Sequence, residues 1–405
     1  MKKELDLQQQ AFLELVKIGI GTSKGGFDFS QLSPDDWCAV MKESCAQAVH
    51  LLSFDSAKDS VSLMPKEIYD EWSGVSIKSY MNNLRLLRAE SELSKLLESA
   101  DIDHIILKGS SSGHYYPDHE KRSYGDIDFY TESGDTEHTS KLLEENGYER
   151  KEENGWHIGY VKKGIHYELH KIICGIPEGE AGQRFMDFLD NATQRYATND
   201  STHAPIPEIH GVVIMLHTLH HLLGFGLGLR HLCDWGCFVN KTVNEPFWAE
   251  SLLPLLKETG TLKFTAVITK TSAIYLDTAC PEWAVSAPEE LCIKVMQDIM
   301  SLGNFGRKDP EKAFGGMMLP ENSEKLSAIK KIKNLWNTLI TATGNSAPKL
   351  KKVPPLLWIV ALARAFVYAC RVIVGKRPSL LKASKHADER NRIFTEFELF
   401  STEEN

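Results

Sequence analysis

At 405 residues, 42% hydrophobic and 25% charged, the chain can bury a large core in two or three domains, and its composition excludes a disordered protein. The net charge of −9 supplies no basic footprint, so nucleic acid is disfavoured as a partner and a small molecule or another protein is expected instead. Eight cysteines (Cys38, Cys45, Cys174, Cys233, Cys237, Cys280, Cys292 and Cys370) form no C-x-x-C pair and read as core residues in a reducing compartment. Met1-Lys2-Lys3 is followed at once by Glu4 and Asp6, with no apolar run, so the expected location is the cytoplasm.

The first hundred residues are helical in pattern. Gly21-Thr22-Ser23-Lys24-Gly25-Gly26 lacks the phosphate-loop spacing and follows no apolar strand, so it reads as a turn. Ser33 before Pro34, Asp35 and Asp36 is an N-cap, a first-turn proline and two acids near the positive helix end; a helix over 37–52 follows. Residues 76–97 repeat leucine at helical spacing and predict a second helix, bracing whatever sheet comes next.

Residues 102–130 carry the chemistry. The apolar run Ile105-Ile106-Leu107 predicts a strand, Lys108-Gly109-Ser110-Ser111-Ser112-Gly113 a small-residue turn opening a short helix, and Gly125-Asp126-Ile127-Asp128-Phe129-Tyr130 a second strand. Alternation sets Asp126 and Asp128 on one face and Ile127 and Phe129 on the other. Two acids held side by side repel each other until a divalent cation relieves them, and an oxygen-only donor set suits a hard ion, magnesium or manganese. Residues 135–146 predict a helix stopped by Gly147; 156–161 and 165–173 then predict a hairpin about Lys162-Lys163-Gly164. In that second strand His166, Glu168 and His170 share one face, and Glu168 is the candidate third carboxylate of a two-metal site.

Strand signals thin out beyond Pro177. A helix from Ile209 to about Leu223 carries His210, His217, His220 and His221. Spacings of three and four residues put histidines on one helix face and would suit zinc, but no H-E-x-x-H or cysteine pair completes a site, so the expected role is a polar face packed against the neighbouring domain. Gly224-Phe225-Gly226-Leu227-Gly228 follows a helix and has the wrong glycine spacing for a dinucleotide fingerprint; it reads as a loop. Arg230 either reaches a nucleotide or pairs with Asp234. Helical segments continue, broken at Gly260, Pro281 and Gly303. Near the end, 353–374 is almost wholly apolar but holds Arg364 and Arg371, between Lys349-Leu350-Lys351-Lys352 and Gly375-Lys376-Arg377. An arginine near the middle makes crossing a bilayer costly, so a buried or membrane-surface helix is expected, with peripheral contact through 353–377 at the inner membrane surface as the membrane option.

Gly109-Ser110 followed by Asp126-Ile127-Asp128, with Glu168 later, resembles the signature of the DNA polymerase beta-like nucleotidyltransferase superfamily. Leu107-Lys108-Gly109, Arg122, Asn146-Gly147-Tyr148 and Glu168-Leu169-His170 resemble more closely an uncharacterised bacterial nucleotidyltransferase family. The resemblance implies an NTP-dependent, pyrophosphate-releasing transferase in which Asp126, Asp128 and Glu168 hold the ions. Gly109 and Ser110 then meet the phosphates, and Lys108, Arg122 and Arg230 contact or offset the nucleotide. The expected architecture is α/β (α+β): a helical region over 1–98, a small mixed-sheet catalytic domain over 99–205, a helical domain over 206–345, and a basic and apolar helix and tail over 346–405. Two alternatives stand beside it. One is a catalytically silent binding protein on the same fold. The other is a serine hydrolase, because Gly109-Ser110-Ser111-Ser112-Gly113 also satisfies G-x-S-x-G with Ser111 as nucleophile.

Overall fold

The computed structural model describes residues 5–132, 135–173, 180–193, 203–224, 226–242, 245–309, 328–347, 350, 353–373 and 380–399. The chain opens with α1 (Leu7–Gly19), α2 (Pro34–Ala46) and α3 (His50–Ser56). Ser33 caps α2 as expected, accepting from the Asp36 amide while Asp36 returns the bond. The single helix expected over 37–52 is instead two. Gln47 ends the first, its side-chain amide donating to the Ile299 carbonyl and its oxygen accepting from the Leu229 amide, and Ala48 turns left-handed at φ 57°. Those two partners lie far away in sequence, which is why helical periodicity could not report the break.

The helix expected over 76–97 is α4 (Lys66–Ser99), 34 residues long. Its added N-terminal turns are anchored by Trp72, fully buried, whose indole N–H donates to the His50 carbonyl. Then come β1 (His104–Ile106), α5 (Ser110–Gly113), β2 (Ile127–Thr131), α6 (Thr136–Glu145), β3 (Glu149–Glu153), β4 (His157–Lys162) and β5 (Ile165–His170). They form one five-stranded mixed sheet in the order β1-β2-β5-β4-β3, in which only β2 and β5 run parallel. The β4–β5 hairpin turns on Lys163 and Gly164, both at positive φ, matching the right-handed twist of the strands. Strand β3, Glu-Arg-Lys-Glu-Glu, has no apolar alternation to announce it; such charge is typical of an edge strand, which must discourage pairing with other chains.

The remaining described chain is helical: α7 (Glu180–Thr193), α8 (Pro207–Leu223), α9 (Leu229–Thr242), α10 (Glu245–Phe247), α11 (Leu253–Glu258), α12 (Leu262–Leu276), α13 (Glu282–Val285), α14 (Glu289–Leu302), α15 (Ala328–Ser346), α16 (Pro354–Ile373) and α17 (Leu380–Thr395). The expected α/β class, a mixed sheet with helical regions at both ends, is what the chain adopts. Two cores divide the sheet. Ile127, Phe129, Tyr167 and Leu169 pack on Leu86, Ala89, Leu93 and Leu97 of α4. The opposite face, through Ile105 and Tyr130, joins a larger core shared by α1, α2, α8, α9, α12 and α14. Period-two alternation therefore gives the even-numbered residues Asp128 and Glu168 to the face turned away from α4.

Candidate functional site

Register decides the centre of the site. Because β2 and β5 are parallel with Asp128 paired to Glu168, two acids 40 residues apart in sequence stand on adjacent strands at the same level. Asp128 is buried, at 7% exposed, and Glu168 half-buried. Asp126 precedes the strand proper and is exposed. Although the residue is exposed, its carboxyl is drawn partly out of water, and that, followed by the charges of Asp128 and Glu168, raises it above its ordinary value. Asp126 thus feels the charge of both other acids, and the level pairing of Asp128 with Glu168 beside it is the arrangement that fits a divalent cation.

Asp128 is already partly compensated. Its Oδ1 accepts from Lys108 Nζ at 2.6 Å and from His170 Nε2 at 3.0 Å. Burial alone would raise this carboxyl, but the Lys108 charge and the His170 bond outweigh it and hold Asp128 well below the usual carboxylate range. His170 also lies 3.5 Å from Glu168 Oε2, and His157 Nδ1 lies 3.6 Å from the same oxygen. The far nitrogen of His170 is 3.4 Å from the Ile172 carbonyl, so both ring nitrogens face acceptors. Burial would lower the His170 pKa, yet its bonds to Asp128 and Glu168 prevail and raise it. Ligand atoms of His157, Glu168 and His170 fall within 4.8 Å of one another, so imidazole nitrogen stands beside the carboxylates.

The glycine-serine turn sits beside the acids. Gly109 holds φ at +67°, a conformation that glycine adopts without strain. Ser110, expected to donate to phosphates, is 6% exposed and gives its hydroxyl to Glu90 Oε1 at 2.5 Å. Glu90 projects from α4, is buried, and its carboxyl is raised to about 7, burial outweighing the Ser110 bond and the charge of Arg122. A Cβ on Gly113 would meet the Tyr124 hydroxyl at 2.4 Å, so glycine lets that ring pack over the turn. Ser111 is fully buried and donates to the Ile106 carbonyl, an arrangement unlike the exposed, base-activated nucleophile of the hydrolase alternative.

The two arginines hold the loop before β2. Arg122 is 5% exposed and forms a two-pronged pair with Asp234 of α9, Nε to Oδ1 at 2.7 Å and Nη2 to Oδ2 at 2.8 Å, with Tyr116 donating to the same carboxylate at 2.8 Å. The pairing considered for Arg230 and Asp234 is therefore made by Arg122 instead. The reason is topological: the loop carrying Arg122 packs on α9, and a planar guanidinium meets a carboxylate edge to edge. Arg230 is half-buried and donates to the Ser123 carbonyl at 3.2 Å.

Glu90, His157 and the bonding role of His170 were not singled out by sequence reasoning. Glu90 lies amid helical polar positions with no motif, and His157 is brought to Glu168 only by the β4–β5 pairing. His170 did leave a signal, the polar alternation with Glu168. His210 is drawn elsewhere, its ring between Tyr115 and Ser112 at 3.1 and 3.4 Å.

The sequence model of one protein family, described as "Uncharacterised nucleotidyltransferase", matches residues 33–277, more than half of the chain and all of the sheet. No curated protein and no solved structure matches it.

Proposed function

The chain belongs to the uncharacterised nucleotidyltransferase family, and from that premise we propose that it moves a nucleoside monophosphate from a nucleoside triphosphate to a small-molecule or protein acceptor in a metal-dependent reaction of the DNA polymerase beta-like kind. The observation that carries the reading is the level pairing of Asp128 with Glu168 across parallel strands, with Asp126 at the strand mouth and Lys108 against Asp128.

In the reaction an acceptor oxygen bonds to the α-phosphorus, the bridge to the β-phosphate breaks, and pyrophosphate leaves with the electron pair. Asp126, Asp128 and Glu168 are the residues that would hold magnesium or manganese, which neutralises phosphate charge and lowers the barrier to attack. Glu168 is suited to take the acceptor proton. Lys108, beside Asp128, is the residue that would offset phosphate charge. Gly109 admits the phosphates close to the backbone, while Glu90 fixes the turn through Ser110. Arg122 acts at a distance, holding the aspartate loop on α9. The screen that tests this pairs the purified protein with each of four ribonucleoside triphosphates and magnesium or manganese, following pyrophosphate release and label on the protein. Release that needs an added metabolite identifies a small acceptor, and self-labelling a protein one. Turnover indifferent to chelators would defeat the reading.

A second observation bears on where the enzyme works. Helix α16 is long and apolar enough to cross a membrane, over Pro354–Val372, yet only 11% of that window is buried. Trp358, Ile359, Leu362, Phe366 and Val367 are all exposed, with Leu357 and Ala361 the residues tucked against the protein. A helix about 30 Å long with apolar side chains around most of its girth needs a non-aqueous neighbour. Arg364 sits midway, which favours lying on an anionic leaflet over spanning it. The basic flanks Lys349, Lys351, Lys352, Lys376 and Arg377 lie outside the described residues, as does Cys174; their contribution to attachment rests on charge alone. We take the site to be the cytoplasmic face of a membrane. Vesicles rich in phosphatidylserine should sediment the protein in low salt and phosphatidylcholine vesicles should not. Equal failure with both would remove the membrane from the account.

A further inference from the structure

Three histidines that the transfer chemistry does not use meet between two helices. His217 and His221 lie one turn apart on α8, so their rings leave the same helix face. Their Nε2 atoms are 3.1 Å apart. Nitrogens around a tetrahedral ion with bonds of about 2.0–2.1 Å are spaced by roughly 3.4 Å, so this pair, which shares a hydrogen bond, stands close to the separation of a chelate. His231, on α9, faces both: its ring centroid is 4.5 Å from that of His221 and 5.5 Å from that of His217. The ligand nitrogens of all three lie within 4.8 Å of one another.

His231 supplies the second, independent observation. Its Nδ1 is 3.3 Å from the Gly228 carbonyl, an oxygen that only accepts, so Nδ1 carries the proton and Nε2 is a bare lone pair. That Nε2 is buried and has no hydrogen-bond partner. A buried acceptor left unmatched costs stability until something supplies it. A backbone carbonyl holding the far ring nitrogen is also how metal-binding histidines are oriented. The close approach of Asn304 leaves room only for glycine at 228, since a Cβ there would fall 2.6 Å from the Asn304 Cβ.

We propose that His217, His221 and His231 form a second metal site, separate from the carboxylates, that takes zinc or an ion of similar preference through three imidazole nitrogens. The donor set decides the class of ion. Neutral imidazoles suit zinc and its transition-metal neighbours, whereas magnesium prefers oxygen. Burial, with the charge of Lys108 among the further causes, keeps all three rings neutral, the state in which imidazole binds metal. Three protein ligands leave a fourth position for water or a bound molecule.

The test uses the full chain, stripped with a chelator and then dialysed against zinc in excess magnesium, with zinc counted per chain and its X-ray absorption recorded. One zinc per chain is expected, with three nitrogen donors at about 2.0–2.1 Å. His221→Gln and His231→Gln should each weaken zinc binding at least ten-fold, while His220→Gln, on the same helix but outside the cluster, and Glu168→Gln should retain it. The proposal is overturned if no zinc is retained, if oxygen dominates the donor shell, or if Glu168→Gln loses the ion that His221→Gln keeps. The absorption spectrum of the unaltered protein decides the matter even where a histidine variant does not fold.

Discussion

His170 and His231 are both almost removed from water, 4% and 1% exposed, yet they are driven in opposite directions. His170 is pushed toward the imidazolium because Asp128 and Glu168 accept from it, and His231 is kept neutral because burial and the charge of Arg230 meet no carboxylate. Burial acts the same way on both; the neighbours decide. The comparison separates the two clusters chemically. The sheet assembles acids, one of them already bonded by Lys108 and His170, while the helices assemble neutral imidazoles.

The sharpest way to break that contrast is Asp128→Asn. The change keeps the shape but removes the carboxylate that faces Lys108 and His170, and turnover should fall by on the order of a thousand-fold, about 4 kcal/mol of barrier, with circular dichroism unchanged. Full turnover of the variant in magnesium would end the assignment of the acids to a metal.

A somewhat smaller effect concerns Glu90, whose carboxyl is raised to about 7 from an unfolded value near 4.5. A folded pKa above the unfolded one means stability is fully present below pH 4.5 and is lost as pH rises toward 7. The loss should reach at most about 3 kcal/mol. Melting curves of the wild type should show it, and Glu90→Gln, which still offers Ser110 an acceptor, should flatten it. A wild type whose stability did not fall over that window would show that Glu90 is ionised in place.

His170→Gln probes the contrast directly. Glutamine can still donate to Asp128 but cannot carry charge, so losing the imidazole that orients the carboxylate proposed to hold the metal should cost about 10–100-fold in turnover. The pH profile should shift with it, a change that loss of packing alone would not produce.

The smallest effect is on Glu168→Gln without metal. Removing one of the two acids that press on Asp126 should stabilise the metal-free fold slightly, by about 0.5 kcal/mol, seen as a small rise in the melting midpoint, while added magnesium should stabilise the variant less than the wild type. Equal magnesium stabilisation in both would put Glu168 outside the ion's reach.

Much of the fold was legible. The capping pattern at Ser33, the hairpin about Lys163-Gly164 and the stop at Gly147 are local signals, and the chain follows them. Strand β3 was not legible, because an edge strand made of charges lacks the apolar face that alternation detects. Nor was the break at Ala48, set by bonds from Gln47 to Leu229 and Ile299.

For the site, the identity and spacing of Asp126, Asp128 and Glu168, with glycine at position 109, were present in the sequence by itself, because residue type and strand period are local properties. The tertiary structure alone decided that Asp128 stands level with Glu168, since register between parallel strands is settled by the helix and hairpin that separate them. It also decided that Asp234 pairs with Arg122, that Ser110 turns to Glu90, and that His231 completes a cluster with two histidines from another helix. Each of these partnerships joins residues on different elements. The hydrogen bonds and ion pairs that make them are short-ranged, so they exist only once packing has brought the elements together.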